Sequence, residues 1–183
     1  MEHIVTKILV VDDHAVVRQG VKQILNEQFQ GAVIGEARNA EEMIDRIRKF
    51  TWDIVVLDVG MPGKSGLDAL KDLKQVCPKL PVLVLSAYPE DQLARRMLKA
   101  GASGYLTKDS APNELVQALK KILGGGKFVS ASMAELLVAN LNEEAGRPLH
   151  EMLSDREYQV MCLIAVGKSL KEIADDLCVG IST

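Results

Sequence analysis

Asp53-Ile54-Val55-Val56-Leu57-Asp58-Val59-Gly60-Met61-Pro62-Gly63-Lys64-Ser65-Gly66 decides the architecture. Four consecutive apolar residues, Ile54 to Leu57, include three β-branched side chains and read as a short strand covered on both faces, the pattern of a parallel sheet. A carboxylate follows at once, and the Gly- and Pro-rich loop after it cannot continue a strand. In an open α/β sheet the chemistry lies outside the carboxyl ends of the strands, which displays Asp58 where a reactive group belongs. An Asp at a strand end is by itself more often a turn former or a helix cap. The other strand ends have to decide.

Upstream, Lys7 to Val11 (KILVV) is a second buried strand, and it ends in the pair Asp12-Asp13. From His14 to about Gln28, the spacing of Val17, Val21, Ile24, Leu25 and Gln28 predicts a helix with one mostly apolar face. Ala32 to Ala37 is a third strand, and Asn39 caps a helix whose face holds Met43, Ile44 and Ile47. Downstream, Leu67, Leu70, Leu73 and Val76 mark a helix that must stop before Pro78. Pro81 opens the strand Val82 to Leu85, which ends in Ser86. Leu93, Met97 and Leu98 face inward on a helix closed by Gly101. Gly104 to Thr107 is a last strand ending in Lys108, and Leu115, Leu119 and Ile122 line a helix closed by Gly124-Gly125-Gly126. Strand and helix alternate five times, which calls for an α/β fold with a doubly wound, five-stranded parallel sheet. Right-handed crossovers then put helices on both faces and all the strand ends at one edge.

The first unit spans 1–124, and 125–148 is a connector. In the connector Ser132 and Glu135 form a capping box for a short helix through Leu141, and Asn142 to Pro148 is a linker. In the remainder, 149–183, Ser154 with Glu157 and Ser169 with Glu172 start two short helices. The first presents Val160, Met161, Leu163 and Ile164 and ends at Gly167; the second presents Leu170, Ile173, Ala174 and Leu177. This is the opening of a helix-turn-helix, an all-α unit left partial at Thr183. With no further helix to cover them, Leu163, Ile164, Ile173 and Leu177 are expected to be exposed.

Composition narrows the class. A chain of 183 residues that is 48% hydrophobic and 26% charged is folded and has room for one good core. No apolar run is long enough to cross a bilayer, and Glu2 and His3 replace a basic signal region, so a cytoplasmic protein with no membrane partner is expected. The three cysteines are odd in number and far apart, which indicates neither a disulfide framework nor a zinc site. Residues 1–124 are nearly neutral, whereas 125–183 carry 5 Lys/Arg against 9 Asp/Glu, a poor surface for nucleic acid.

The strand ends bring together Asp12, Asp13, Asp58, Ser86 and Lys108. Carboxylates gathered at one edge repel unless a cation sits among them, and an all-oxygen set suits a hard ion such as Mg2+, which keeps waters for an incoming phosphate. Lys108 and the Ser86 hydroxyl then offer a positive charge and a donor to phosphate oxygens. A carboxylate beside a metal with no general base near it fits a nucleophile that becomes an aspartyl phosphate, because it is already ionised. His14 is taken as a helix-start residue with no catalytic part.

These motifs carry a resemblance. Residues 7–124 resemble the receiver domain of bacterial response regulators through Asp12-Asp13, LDVGMPGKSG at 57–66, LSA at 85–87 and YLTKD at 105–109. The connector and LSDREYQVMCLIAVGKSLKEIADDL at 153–177 are similar to the LuxR-type output module of NarL/FixJ regulators. The resemblance implies a flavodoxin-like strand order 2-1-3-4-5, Asp58 as phosphoacceptor, and Asp12, Asp13, Asp58 and the Gly60 backbone carbonyl as Mg2+ ligands. It implies Ser86, Lys108 and Tyr105 as the switch that reads the phosphoryl group, and a phosphohistidine on a sensor histidine kinase as donor. Such a chain is no enzyme in the usual sense, since it catalyses only its own phosphorylation and dephosphorylation. Its expected output is transcriptional. Promoter DNA is the partner expected of a full-length regulator and not of this chain, which ends about where a recognition helix should start, and a second copy is a candidate partner. Gly60 has no side chain where relatives often carry one, which bears on phosphoryl lifetime. A hydrolase passing through an aspartyl phosphate would want Asp-x-Asp on the first strand, and Asp12 is followed two residues on by His14. A flavodoxin-type flavin site would want a Ser/Thr/Gly loop there. The alternative that survives is a receiver-based signalling adaptor working through protein contacts without DNA.

Overall fold

A computed structural model of the chain describes residues 5–62, 64–87, 90–131, 133–135, 153, 155–165 and 167–177. The apolar runs form strands β1 (Lys7–Val11), β2 (Val33–Ala37), β3 (Ile54–Asp58), β4 (Val82–Ser86) and β5 (Gly104–Thr107). Helices α1 (Ala15–Gln28), α2 (Ala40–Lys49), α3 (Gly66–Val76), α4 (Glu90–Lys99) and α5 (Ala111–Leu123) alternate with them. Every pairing is parallel and the order is β2-β1-β3-β4-β5, the doubly wound order implied by the sequence resemblance.

Successive side chains on a strand point to opposite faces, so the inner strands feed two cores. Leu9, Val11, Val55, Leu57, Val82 and Val84 pack with Met43, Ile47, Leu70, Leu73 and Met97 of α2, α3 and α4. Ile8, Val10, Ile54, Val56, Leu83 and Leu85 pack with Val21, Leu25, Leu115, Leu119 and Ile122 of α1 and α5. β3 and β4 are buried along their whole length, which is why their sequences read as continuous apolar runs instead of alternating ones.

Local signals set the helix ends. Asn39 accepts from the Glu42 N–H to cap α2, and Ser65 accepts from the Asp68 N–H to cap α3. Gly101 turns the chain after α4 at φ 104°, a conformation that favours glycine. Gly66 is required for a different reason: a Cβ there would stand 2.4 Å from the Val59 Cα, so the start of α3 can lie against the β3 loop only with hydrogen in that place.

Of the four residues that mark α3, Leu67, Leu70 and Leu73 are buried and Val76 is exposed at its last turn. At the start of the helical stretch after α5 the Ser130 Oγ accepts from the Met133 N–H, while the expected cap Ser132 lies outside the described residues. One expectation needs correction. The C-terminal helices, α6 (Asp155–Ala165) and α7 (Leu170–Asp176), close on each other, and Leu163, Ile173 and Leu177 are buried in that contact. A left-handed Gly167 and the full Ser169–Glu172 capping box make a turn tight enough for the pair to cover its own apolar residues. Ile164 and Leu170 remain exposed. The expected Ser154 cap, linker 142–148 and residues 178–183 lie outside the described residues.

Candidate functional site

Parallel strands finish at the same edge, so the residues that end β1, β3, β4 and β5 meet there although they are up to 96 positions apart. Asp58, the last residue of β3, has its side chain 1% exposed, and the Asp12 side chain beside it is 3% exposed. Lys108 reaches back from the end of β5 to join them, its Nζ donating to Asp12 Oδ2 at 2.8 Å and to Asp58 Oδ2 at 2.9 Å. The Gly60 N–H donates to Asp58 Oδ1 at 2.9 Å, which turns the loop after β3 over the carboxylate. A Cβ at position 60 would stand 3.4 Å from that oxygen, in van der Waals contact with the carboxylate.

Ser86 ends β4 fully buried, and its carbonyl oxygen accepts the Lys108 N–H at 2.7 Å, locking the strand ends together. Tyr105 does not stand at the mouth; it is buried in the core on the α2–α4 side of the sheet. The sequence-named residues thus divide into a cluster of Asp12, Asp13, Asp58 and Lys108, a buried Ser86 at the same edge, and Tyr105 below it.

Electrostatics follow from this crowding. Burial, reinforced by the Asp12 carboxylate, pushes the Asp58 carboxyl above its ordinary range, against the Gly60 N–H and Lys108, which favour the ionised form. Burial pushes the Lys108 ammonium down, but the Asp12 and Asp58 carboxylates outweigh it and hold it above its usual range. The two directions agree physically: one cation serves more anionic charge than it can neutralise.

The donor chemistry fits a divalent cation. Ligand atoms of Asp12, Asp13, His14 and Asp58 all lie within 4.8 Å of one another. Asp13 Oδ1 is shielded from solvent and has no hydrogen-bond partner among the described residues, so a cation would satisfy it. Its imidazole neighbour, 3.0 Å away, is not aligned for a hydrogen bond to it.

His14 is the helix-start residue that the sequence marked, but its contact with the acidic pair and the part played by Arg18 escape that reading. His14 precedes α1, and its ring folds over the acidic pair. Arg18, one turn on, donates to the Asp12 carbonyl oxygen at 2.7 Å and to Glu36 at 3.3 Å, tying the end of β1 to β2. The available signal was an arginine between Val17 and Val21 on the apolar side of α1, and a histidine placed directly after the pair.

Residues 8–120 match the family model described as response regulator receiver domain. The chain is 34% identical over 177 residues to the response regulator GacA of Pseudomonas protegens, covering 97% of this chain and 83% of that protein. A crystal structure of a two-component response regulator of the LuxR family from Aurantimonas sp. SI85-9A1 superposes with a TM-score of 0.70 at 36% identity, over 76% of this chain and 99% of that one. The RcsB response regulator of Salmonella typhimurium, in a structure concerned with DNA interaction, gives a TM-score of 0.68 at 26% identity, over 97% of this chain and 85% of that one. Another RcsB structure, with a TM-score of 0.68 at 27% identity over the same shares, holds two dimers bound to two parallel DNAs.

Proposed function

The chain belongs to the response regulator receiver family, as a two-component regulator of the NarL/FixJ type acting on transcription, and from that premise we propose that Asp58 is its phosphoacceptor. The observation that carries this is Lys108 bridging two buried carboxylates at 2.8 and 2.9 Å, with Asp58 at the end of the central strand. One oxygen of Asp58 attacks the phosphorus of a phosphohistidine on a sensor kinase. A P–O bond forms, the P–N bond breaks, and the imidazole nitrogen keeps the electron pair. No general base is required, because the attacking oxygen carries no proton in the ionised form. Catalysis then consists of positioning and charge neutralisation, with Lys108 moving its ammonium onto the phosphoryl oxygens.

Asp12, Asp13, Asp58 and the Gly60 carbonyl would hold Mg2+, supported by the oxygen donors and the unpartnered Asp13 Oδ1. When bound, that ion screens the charge of the incoming phosphoryl group. The chain acts on no separate substrate and promotes only its own phosphorylation and dephosphorylation. Ser86 and Tyr105 read the result: the hydroxyl moves toward the phosphoryl oxygens and the ring follows into the space vacated. Residues 1–124 form the receiver, 125–148 the connector and 149–183 part of the output module. The DNA-bound RcsB dimers support promoter DNA and a second copy as partners of that output. No helix among the described residues is long and apolar enough to cross a membrane, in keeping with action in the cytoplasm.

Incubation with a small acyl phosphate and Mg2+ should add one phosphoryl group by intact mass, and Asp58→Ala should remove it. An undiminished signal in that variant would sink the assignment.

A further inference from the structure

The receiver reading treats the cation site as oxygen-only, yet the structure puts a nitrogen on its rim. His14 Nδ1 lies 3.0 Å from Asp13 Oδ1 and 3.2 Å from Asp12 Oδ1. At the start of α1 the side chain makes no capping hydrogen bond, and its Nδ1 instead stands within hydrogen-bond distance of Asp12 Oδ1, where a cation would take the place of the shared proton. With 62% of the side chain exposed, the ring can turn without disturbing the core. An octahedral ion with bonds of about 2.1 Å separates neighbouring ligand atoms by about 3.0 Å. The spacings from Nδ1 to each of the two carboxylate oxygens are those of neighbouring ligands on such an ion. One of these oxygens, Asp13 Oδ1, is buried and has no hydrogen-bond partner among the described residues.

We propose that His14 is a further ligand of this cation site, and that its nitrogen makes the site favour a first-row transition ion, with Mn2+ as the probe, over Mg2+. The chemistry supplies the direction of the preference. Mg2+ is served by carboxylates, carbonyls and water and gains little from imidazole, whereas first-row transition ions accept nitrogen and oxygen donors together. The exposed ring already has Nδ1 at these distances, so a side-chain rotation suffices to meet the ion. The inference rests on the receiver reading for Asp12, Asp13 and Asp58, and it adds the residue that sets which ion they hold.

The test uses the full chain. Mn2+ and Mg2+ are titrated separately by calorimetry into wild type, His14→Ala and Asp13→Asn, and pulsed electron paramagnetic resonance of the Mn2+-loaded wild type and His14→Ala reads nitrogen coupling. Wild type should bind Mn2+ more tightly than Mg2+ and show 14N modulation. His14→Ala should lose that modulation and at least about tenfold in Mn2+ affinity, while Mg2+ affinity changes less than about twofold. Absence of 14N modulation in wild type, its persistence in His14→Ala, or an equal loss for both ions would overturn the role of His14. Failure of the wild type to bind either ion, or binding untouched by Asp13→Asn, would overturn the receiver cation site itself, and with it this inference.

Discussion

Replacing Lys108 by Met keeps most of the side-chain volume and deletes the one charge shared by Asp12 and Asp58. The gross Coulomb attraction in each pair, at 2.8 and 2.9 Å, is about 6 kcal/mol at an effective dielectric of about 20. Much of that is offset by the desolvation of all three groups, and breaking a buried pair by removing one partner costs about 3–5 kcal/mol net. The low end applies here, because Asp58, which burial and the Asp12 carboxylate already push up, can take a proton. A loss of about 3 kcal/mol lowers Tm by about 10 °C in a unit of this size. The assay is a thermal melt of wild type and Lys108→Met in EDTA, repeated in excess Mg2+. The deficit should be largest in EDTA and mostly recovered in Mg2+, because a divalent cation restores the missing positive charge. The pH dependence has a definite sign. A carboxyl whose folded pKa is raised binds a proton more tightly in the native state, so stability falls as pH rises through that pKa and the deficit shrinks toward acid. A deficit under about 1 kcal/mol in EDTA, or one equal with and without Mg2+, would refute the reasoning, since either would mean that Lys108 is not the charge holding these carboxylates together.

Gly66→Ala places a Cβ 2.4 Å from the Val59 Cα, so α3 must shift, and urea denaturation should show a loss of about 1–3 kcal/mol; a change under about 0.5 kcal/mol would show that the β3–α3 loop relaxes freely. Glu36, held below its ordinary pKa first by Lys22 and then by Arg18, contributes stability present above its unfolded pKa and lost as pH falls through the folded one. With 35% of its side chain exposed, Glu36→Gln should cost less than about 1 kcal/mol near neutral pH and nothing in acid, read from melts across that range. Hydrogen exchange with and without a phosphoryl mimic should change over α4, β5 and α5; changes confined to residues 14–50 would place the switch elsewhere.

Much of the fold is legible because its signals are local. Ile54 to Leu57 and Val82 to Leu85 are apolar on consecutive residues only because both faces of their strands are covered. Asn39 and Gly101 are recognisable because a cap or a left-handed turn is a property of a few neighbouring residues. Leu163, Ile173 and Leu177 were expected in solvent because a sequence marks apolar faces without saying how closely two of them approach.

From the sequence alone come the alternation of strand and helix, the doubly wound class, and the identity of Asp12, Asp13, Asp58, Ser86 and Lys108 as strand-end residues, because these follow from side-chain period and turn chemistry. The tertiary structure alone decides distances. The parallel ladders place β1 beside β3, and β5 beyond β4, so a lysine 50 residues from Asp58 and 96 from Asp12 can bond to both. The start of α1 turns His14 over the acidic pair and lets Arg18 grip the Asp12 carbonyl, while Asp13 Oδ1 is left without a donor. The lysine's two bonds lie outside any window of neighbours, and even for His14, which directly follows the pair, the sequence marks the residue and not its distances. Those depend on the angle at which a helix leaves its strand, and that angle is set by packing against the sheet.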